Sequence, residues 1–231
     1  MKRIAMLLLA VCMLLPLATS CGYRERFDLL YSTEVDGITY CVRGKRFRAR
    51  QVVIKSGEEI LWAERIRVAA DVGSLRGSYG LEVLDLNLDG RQDLMIPDGV
   101  TGECLSYLCW LQTEDGSYQK SEALSGLCNL AVDPELKAVF AFSHDYDYME
   151  GGDDEAASSA SRDITTKYVW KRGKLVPEMY AAITYYTPSN LYCFSVAYYD
   201  EASGSFSDPD DVWLTPDEYA EKDMSFLYYF R

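Results

Sequence analysis

The sequence predicts an all-β domain built from antiparallel, blade-like (β-propeller-like) sheets, with one short helix near the C-terminus. Three observations support this fold class. Tyrosine, which favours strands, is frequent, with 18 copies in 231 residues. The apolar segments are short and alternate with polar residues, as half-buried strands do. Glycine-containing turn sequences separate these segments, and glycine allows the positive φ that a tight hairpin turn requires.

Ten segments have the length and alternation of strands. They are residues 37–43, 48–55, 59–69, 80–86, 93–98, 104–112, 138–146, 166–172, 181–187 and 191–200. Residues 110–118 and 198–206 also resemble each other, because each runs from an aromatic residue through a polar turn to Gly-Ser and a second aromatic residue. Repeated aromatic hairpins favour blade-like sheets, and a chance likeness between two tight hairpins is the alternative.

One helix is predicted near the C-terminus, in the segment TPDEYAEKDM. Thr215 is suited to the N-cap and Pro216 to the first helical position. Glu218 stands three residues beyond the cap, which completes a capping box. We expect one to two helical turns.

Residues 148–162, YMEGGDDEAASSASR, are small, polar and acidic and have no apolar period. This composition predicts a long loop between two strands. Because long loops often carry binding residues, Asp153, Asp154 and Glu155 are candidates for contact with a partner.

The N-terminus has the pattern of an export signal. Two basic residues precede an apolar run that is too short for a comfortable membrane span, and small residues then lead to Cys21. The pattern resembles a bacterial lipoprotein signal, in which cleavage leaves this cysteine as the lipid-modified N-terminus. An ordinary cleavable signal is the alternative. Either interpretation predicts a mature protein outside the cytoplasm, and the lipid would hold it on the cell envelope, at the cell surface or in the periplasm.

This interpretation divides the chain into three parts. Residues 1–20 form the signal peptide, residues 21–34 the lipid anchor and a short tether, and residues 35–231 a single β-rich domain. No boundary is visible inside the third part.

The chain is strongly acidic. It has 23 basic and 36 acidic residues and a formal net charge of −13, which becomes −15 when Lys2 and Arg3 leave with the signal peptide. Nucleic acid is therefore not expected as a partner, because phosphate binding needs the opposite field. The charge suits a basic protein partner. Solubility after export is the other explanation.

A basic segment, RGKRFRAR at residues 43–50, is the local exception. If it is a strand, Arg46, Arg48 and Arg50 share one face. The segment lies close to the predicted anchor, so one interpretation is contact with anionic lipid or cell wall. The other is a solvated strand face, which is the usual role of a charge run.

Five cysteines remain once Cys12 leaves with the signal and Cys21 carries lipid. Export permits disulfides, but an odd number leaves at least one thiol unpaired. Cys104 and Cys109 are five residues apart in a predicted strand and point to opposite faces, so they cannot pair with each other. The pairing is otherwise left open among Cys41, Cys104, Cys109, Cys128 and Cys193.

The segment DLNLDGRQD, residues 85–93, has the spacing of a calcium loop. Oxygen-bearing side chains at alternate positions of a tight loop can converge on one cation, and calcium prefers six to eight such ligands. The expected ligands are Asp85, Asn87, Asp89, Asp93 and the main-chain carbonyl of Arg91. The twelfth position is Ile96 instead of glutamate, and strands flank the loop, so it is not an EF-hand. We expect a structural Ca²⁺, with a metal-free polar hairpin turn as the alternative.

The loop resembles the shortened calcium loops of FG-GAP-like and propeller-type repeats. Residues 50–200, and 85–93 most specifically, resemble bacterial exported lipoproteins with a single FG-GAP/VCBS-like calcium loop. One branch of that family contains periplasmic immunity lipoproteins that inhibit lysozyme-like effectors of a bacterium-killing secretion system. The resemblance implies an all-β, propeller-like fold with bound calcium. The Ser-Gly-x-x-Tyr motif that several lysozyme inhibitors insert into the lysozyme cleft does not occur in this sequence.

Catalysis is not expected. His144 is the only histidine, and the neighbouring Asp145 would point to the opposite face of a strand, which cannot orient it as in a catalytic triad. The anchor pattern, the acidic charge and the lack of catalytic groups therefore predict a membrane-anchored extracytoplasmic lipoprotein whose calcium-stabilised β-domain binds a macromolecular partner. The family resemblance implies that this partner is a lysozyme-like enzyme, which the domain inhibits. The alternatives are an enzyme that acts on cell-wall glycans and a purely structural envelope protein.

Overall fold

The computed structural model describes residues 27–46, 48–68, 80–148, 160–187 and 189–221. The signal peptide, Cys21 and the candidate partner-binding residues Asp153, Asp154 and Glu155 lie outside these ranges. In the described part, no helix has the length and apolar character needed to cross a membrane.

Three antiparallel sheets follow one another along the chain. The first contains β1 (Asp28–Val35), β2 (Ile38–Lys45), β3 (Arg48–Ser56) and β4 (Glu59–Arg65). The second contains β5 (Glu82–Leu84), β6 (Asp93–Thr101), β7 (Cys104–Gln112) and β8 (Tyr118–Lys120). The third contains β9 (Ala131–Asp133), β10 (Ala138–Tyr148), β11 (Ala160–Lys171), β12 (Lys174–Tyr186), β13 (Leu191–Asp200), β14 (Ser205–Phe206) and β15 (Asp210–Leu214).

Two short helices complete the described elements. Helix α1 (Glu122–Ser125) follows β8, and α2 (Pro216–Glu221) follows β15. The predicted capping box of α2 is present, because the Glu218 backbone N–H donates to Thr215 Oγ1 at 3.3 Å and the Thr215 N–H donates to Glu218 Oε2 at 2.8 Å. The all-β antiparallel fold class with a short C-terminal helix is thus confirmed.

The sheets resemble propeller blades to different degrees. The first two are four-stranded meanders, in which each strand pairs with the next along the chain. The third is larger, because β13 pairs with β12 on one edge and with both β14 and β15 on the other. The strands of the described residues form three open sheets without a closed propeller ring.

The second sheet is the central layer. Leu94, Ile96 and Trp110 pack into the core that it shares with the first sheet. Met95 and Cys109, which alternate with them along the same strands, pack into the core that it shares with the third sheet. Because both faces are covered, β6 is apolar at successive positions instead of alternating.

Two hairpins have turn sequences with the positive φ values that a tight hairpin turn requires. Asp36 and Gly37 between β1 and β2 have φ of 51° and 78°, and Arg172 and Gly173 between β11 and β12 have φ of 52° and 74°. Two consecutive positive φ values are those of a type I′ turn, which matches the twist of the flanking strands.

Strand β1 corrects the predicted domain boundary. It begins at Asp28, inside the range 21–34 assigned to the tether, and pairs with β2 from Asp28 opposite Gly44 to Val35 opposite Ile38. The folded domain therefore starts at least seven residues before residue 35. The predicted loop 148–162 is also shorter than expected, because Tyr148 belongs to β10 and residues 160–162 to β11.

One disulfide is present among the described residues. Cys104 at the start of β7 is bonded to Cys128, with their Cα atoms 5.0 Å apart. Cys41, Cys109 and Cys193, one in each sheet, form no disulfide within the described residues and are buried. The predictions that Cys104 does not pair with Cys109 and that at least one thiol stays unpaired are therefore confirmed.

Candidate metal centre and partner-binding surface

The loop of residues 85–92 joins β5 to β6. Two backbone positions reverse the chain there, Leu88 with φ of 61° and Gly90 with φ of 87°. Leu86 is fully buried in the core between the second and third sheets, so its side chain anchors the loop to these sheets. The polar side chains of the loop are therefore fixed relative to the sheets.

Asp85 organises the turn through its carboxylate. Its Oδ1 accepts a hydrogen bond from the N–H of Asp89 at 3.0 Å, and its Oδ2 accepts one from the N–H of Gly90 at 2.7 Å. Asn87 Oδ1 also accepts from the Asp89 N–H, at 3.2 Å. Asp85 and Asn87 therefore aim their oxygens at the same segment of backbone.

Asp89 is held by hydrogen bonds from neighbouring loop residues and by an ion pair with an arginine. Its carboxylate accepts from the N–H of Arg91 at 2.9 Å and from Asn87 Nδ2 at 2.6 Å, and it forms an ion pair with the Arg91 guanidinium. Arg91 Nε donates to the carbonyl of Gln112 in β7 at 2.9 Å. One arginine therefore links the loop to the adjacent strand and balances part of its negative charge.

Asp93 differs from the other acidic residues of the loop because it is completely buried. Its Oδ2 accepts from the N–H groups of Leu86 at 2.8 Å and Asn87 at 3.3 Å, and its Oδ1 accepts from the N–H of Gln112 at 2.7 Å. Burial raises the pKa of this carboxyl to about 6, although the three N–H groups act in the opposite direction.

The donor chemistry of the loop fits a hard divalent cation. Two carboxylates, an amide oxygen and a main-chain carbonyl lie within seven residues, and oxygen is the donor that calcium prefers. Each carboxylate oxygen of Asp85 accepts a single hydrogen bond, which leaves it further acceptor capacity. In this conformation, the described residues contain no group of three or more His, Cys, Asp or Glu side chains placed to hold one ion. The predicted ligand set has two parts. Its solvent-accessible part consists of Asp85, Asn87, Asp89 and the Arg91 carbonyl, and its buried part is Asp93.

A cleft of about 610 Å³ borders this loop. Asn87 and Arg91 form one wall, and residues of β7, β8 and the β11–β12 hairpin form the others. Trp170 from β11 lines the cleft and donates its indole N–H to the carbonyl of Leu86 at 3.0 Å. This bond connects the third sheet directly to the loop, a contact 84 residues apart in sequence that no local pattern indicates.

His144 has a partner that the sequence does not reveal. The antiparallel register of β10 and β11 places it opposite Asp163, and its Nδ1 forms a hydrogen bond with the Asp163 carboxylate. The neighbouring Asp145 instead lies opposite Arg162. Only knowledge of the register identifies this pair.

An acidic strip follows the edge of the third sheet. Residues 205–221 contain six carboxylates and no basic residue. All six are exposed, and they are Asp208, Asp210, Asp211, Asp217, Glu218 and Glu221. Within this strip, which we call the acidic edge, Val212 is 45% and Trp213 50% exposed. Strand β15 pairs with β13 on one side, and no other described strand pairs with it.

Comparisons with known proteins do not identify a family for this chain. No protein-family model matches the sequence, and no curated protein matches it. A solved structure described as "Structure of a Xanthomonas Type IV Secretion System related protein" is similar to this chain with a TM-score of 0.47 and 15% sequence identity. The similarity covers 79% of this chain and 86% of that one. It is too low to assign a family.

Proposed function

We propose that this chain is an exported lipoprotein, anchored through lipid on Cys21, whose calcium-stabilised β-domain binds a basic protein partner. The proposed partner is a lysozyme-like enzyme, which the bound domain inhibits. The observation that carries the proposal is the acidic edge, where Trp213 stands half exposed among carboxylates on an edge strand.

Tryptophan is enriched among the residues that contribute most to protein–protein affinity. The Trp213 ring packs against Tyr186, with centroids 5.1 Å apart and planes inclined by 36°. This support limits its rotamer freedom, so less entropy is lost when a partner covers it. Exposed apolar side chains with a polar surround are typical of interaction surfaces.

The charge of the acidic edge determines the kind of partner. Six carboxylates without a basic residue give a negative potential that attracts a basic surface and raises the association rate. Such a contact also discriminates against acidic proteins, because like charges across an interface are costly. A basic enzyme of the lysozyme type fits this requirement.

Calcium has a structural role in the proposal. The ion is held by Asp85, Asn87, Asp89, the Arg91 carbonyl and Asp93, and it neutralises carboxylates that otherwise repel one another in a short loop. The loop lies where β5, β6 and β7 meet through Asp93 and Arg91. A bound ion therefore stabilises the central sheet from one end.

The proposal is tested with the mature chain carrying Cys21→Ser, so that it is soluble. Lytic rates of a panel of muramidases are measured with and without micromolar protein, and we expect at least one enzyme to slow. Trp213→Ala is expected to weaken this inhibition by at least tenfold, because removing a central aromatic anchor commonly costs more than 1.4 kcal/mol. Leu61→Ala is the matched control, since Leu61 is also 50% exposed but lies in β4 of the first sheet.

Three outcomes contradict the proposal. Unchanged lytic rates across the panel exclude inhibition of these enzymes. Equal losses for Trp213→Ala and Leu61→Ala exclude the acidic edge as the binding surface. Release of fragments from peptidoglycan by the protein alone identifies a glycan-acting enzyme instead.

A further inference from the structure

The first sheet has opposite charges at its two ends. The register pairs Lys45 with Arg48 at the β2–β3 hairpin and Gln51 with Arg65 across β3 and β4. The N–H of Ile66 donates to the carbonyl of Arg50 at 2.9 Å, which brings the chain around Arg67 to the same end. Six cations therefore gather there, and we call this set the basic end: Lys45, Arg46, Arg48, Arg50, Arg65 and Arg67.

The other end of the same sheet is acidic. The β1–β2 turn contains Asp36 and is preceded by Glu34, which lies opposite Thr39. The β3–β4 turn carries Glu58 and Glu59. The sheet therefore has a charge gradient along its strands, within a chain whose net charge is negative.

The cations of the basic end are available to a ligand. All except Arg50 are exposed, and Arg50 is half-buried. Among the described residues, none of the six takes part in an ion pair, whereas Arg91, Lys120, Lys167 and Lys171 each have an acidic partner. Uncompensated cations grouped at one edge favour an anionic surface.

The basic end is also where the chain enters the domain. Asp28 lies opposite Gly44 and Leu29 opposite Arg43, so β1 begins beside the β2–β3 hairpin. Asp28 is the seventh residue after Cys21, which limits the distance between their Cα atoms to about 25 Å. Leu29, the second residue of β1, is 56% exposed at this same end. Basic residues beside an exposed apolar side chain suit the surface of a bilayer.

We propose that the basic end binds anionic phospholipid headgroups and fixes the orientation of the domain on the membrane. The orienting role rests on the lipid anchor at Cys21 in the proposed function, since the anchor keeps the basic end near the bilayer. The contact also offsets the repulsion between an acidic domain and an anionic membrane. Charges more than about 10 Å from the surface are largely screened at 0.1 M salt, so the six nearby cations dominate the interaction.

The binding step is tested with the mature Cys21→Ser chain, which carries no lipid. Its sedimentation with phosphatidylglycerol-containing vesicles and with pure phosphatidylcholine vesicles is compared at low ionic strength. We expect binding to the anionic vesicles only, and its loss as salt is raised. The double variant Arg46→Gln/Arg48→Gln is expected to bind about thirtyfold more weakly (~2 kcal/mol at 1.4 kcal/mol per tenfold), since each surface cation contributes about 1 kcal/mol.

The matched control is Arg172→Gln/Lys174→Gln. These two exposed cations flank the β11–β12 hairpin turn, and Arg172 has a positive φ of 52°, comparable with 48° for Arg46. We expect the control to bind as the wild type does. An equal loss for both double variants overturns the proposal, because it indicates a response to net charge alone. Equal binding to both kinds of vesicle also overturns it.

A cell-wall polymer is the competing ligand for the same cations. Binding to purified peptidoglycan that depends on Arg46 and Arg48, without binding to anionic vesicles, assigns the basic end to the wall and overturns the proposal. Mass spectrometry of the native chain reports separately whether Cys21 carries lipid. Since the vesicle experiment uses an unlipidated chain, failure of the anchor and failure of headgroup binding are distinguishable.

Discussion

Asp93 and Asp115 accept the same number of hydrogen bonds, yet their pKa values shift in opposite directions. Asp93 accepts three, from the N–H groups of Leu86, Asn87 and Gln112. Asp115 also accepts three, from the Thr113 hydroxyl and from the N–H and hydroxyl of Ser117. Burial raises the pKa of Asp93 to about 6, whereas the hydrogen bonds lower the pKa of the exposed Asp115 to about 2.

The difference shows that desolvation changes the pKa of these aspartates more than the number of hydrogen bonds they accept. Asp115 stabilises only the β7–β8 turn in which it lies, because its partners are within two residues. Asp93 joins the β5–β6 loop to β7, with a partner 19 residues away. Four experiments separate these two roles.

The largest effect is expected for Asp93→Ala. The substitution leaves one buried and two part-buried backbone N–H groups without this acceptor, and a fully buried group commonly costs about 1–3 kcal/mol. We expect a loss of about 2–4 kcal/mol in the free energy of unfolding, measured from urea denaturation. A loss below 1 kcal/mol would show that Asp93 does not hold the loop to β7.

Calcium binding is the second test. We expect calcium to raise the melting temperature and a chelator to lower it, because a ligand that binds only the folded state stabilises it by about 2.7 kcal/mol at one hundred times Kd. Asp85→Ala should abolish the difference, whereas Asp115→Ala, outside the loop, should preserve it. If the wild type melts identically with calcium and with chelator, the metal assignment is wrong.

A pH effect of about 1 kcal/mol is expected from Asp93 in the presence of chelator. Because its folded pKa of about 6 lies above the ordinary value of 3.8, the folded state binds this proton more tightly. The carboxyl therefore favours folding most at low pH, and this contribution is lost as the pH rises through 6. Between pH 7.5 and pH 5, the wild type should gain stability relative to Asp93→Asn. Parallel pH profiles of the two proteins in urea denaturation would contradict the assignment.

The smallest effect is expected for Asp115→Ala. The carboxylate is exposed and its partners can bond to water instead, so the urea midpoint should move far less than for Asp93→Ala. Any contribution from Asp115 is present above pH 3.8 and is lost as the pH falls through about 2, opposite to that of Asp93. A midpoint shift as large as that of Asp93→Ala would remove the distinction between the two loops.

Local patterns in the sequence predict much of the fold. Strands β7 and β13 have the predicted bounds, residues 104–112 and 191–200, because turn residues flank both. The C-terminal capping box at Thr215 is likewise a local signal. Helix α1 was not predicted, since it is a single turn whose main sequence signal is the N-cap Ser121. Strand β1 was not predicted because no turn signal precedes Asp28, so its residues were assigned to the predicted tether.

The candidate site was predictable in composition but not in geometry. The spacing from Asp85 to Asp89 indicates a tight polar loop, and the structure adds that its oxygens accept hydrogen bonds from its own backbone. Their convergence on a cation stays a prediction. The burial of Asp93 depends on β7 and on the third sheet behind it, which are distant in sequence. The pairs Cys104–Cys128 and His144–Asp163 depend on strand register for the same reason. No sequence pattern indicated that Trp213 would be exposed on an edge strand.

The three buried cysteines outside the disulfide have a consequence for how the protein folds. A thiol reacts as its thiolate, and burial raises the pKa of Cys109 to about 12. Among the cysteines of the described ranges, an oxidant meets only Cys104 and Cys128 once the sheets have closed, because Cys41, Cys109 and Cys193 are buried. Oxidation of the open chain exposes these five thiols of the described ranges to mispairing, which only thiol–disulfide exchange can reverse. Rapid closure of the sheets therefore protects the chain from becoming trapped by wrong disulfides.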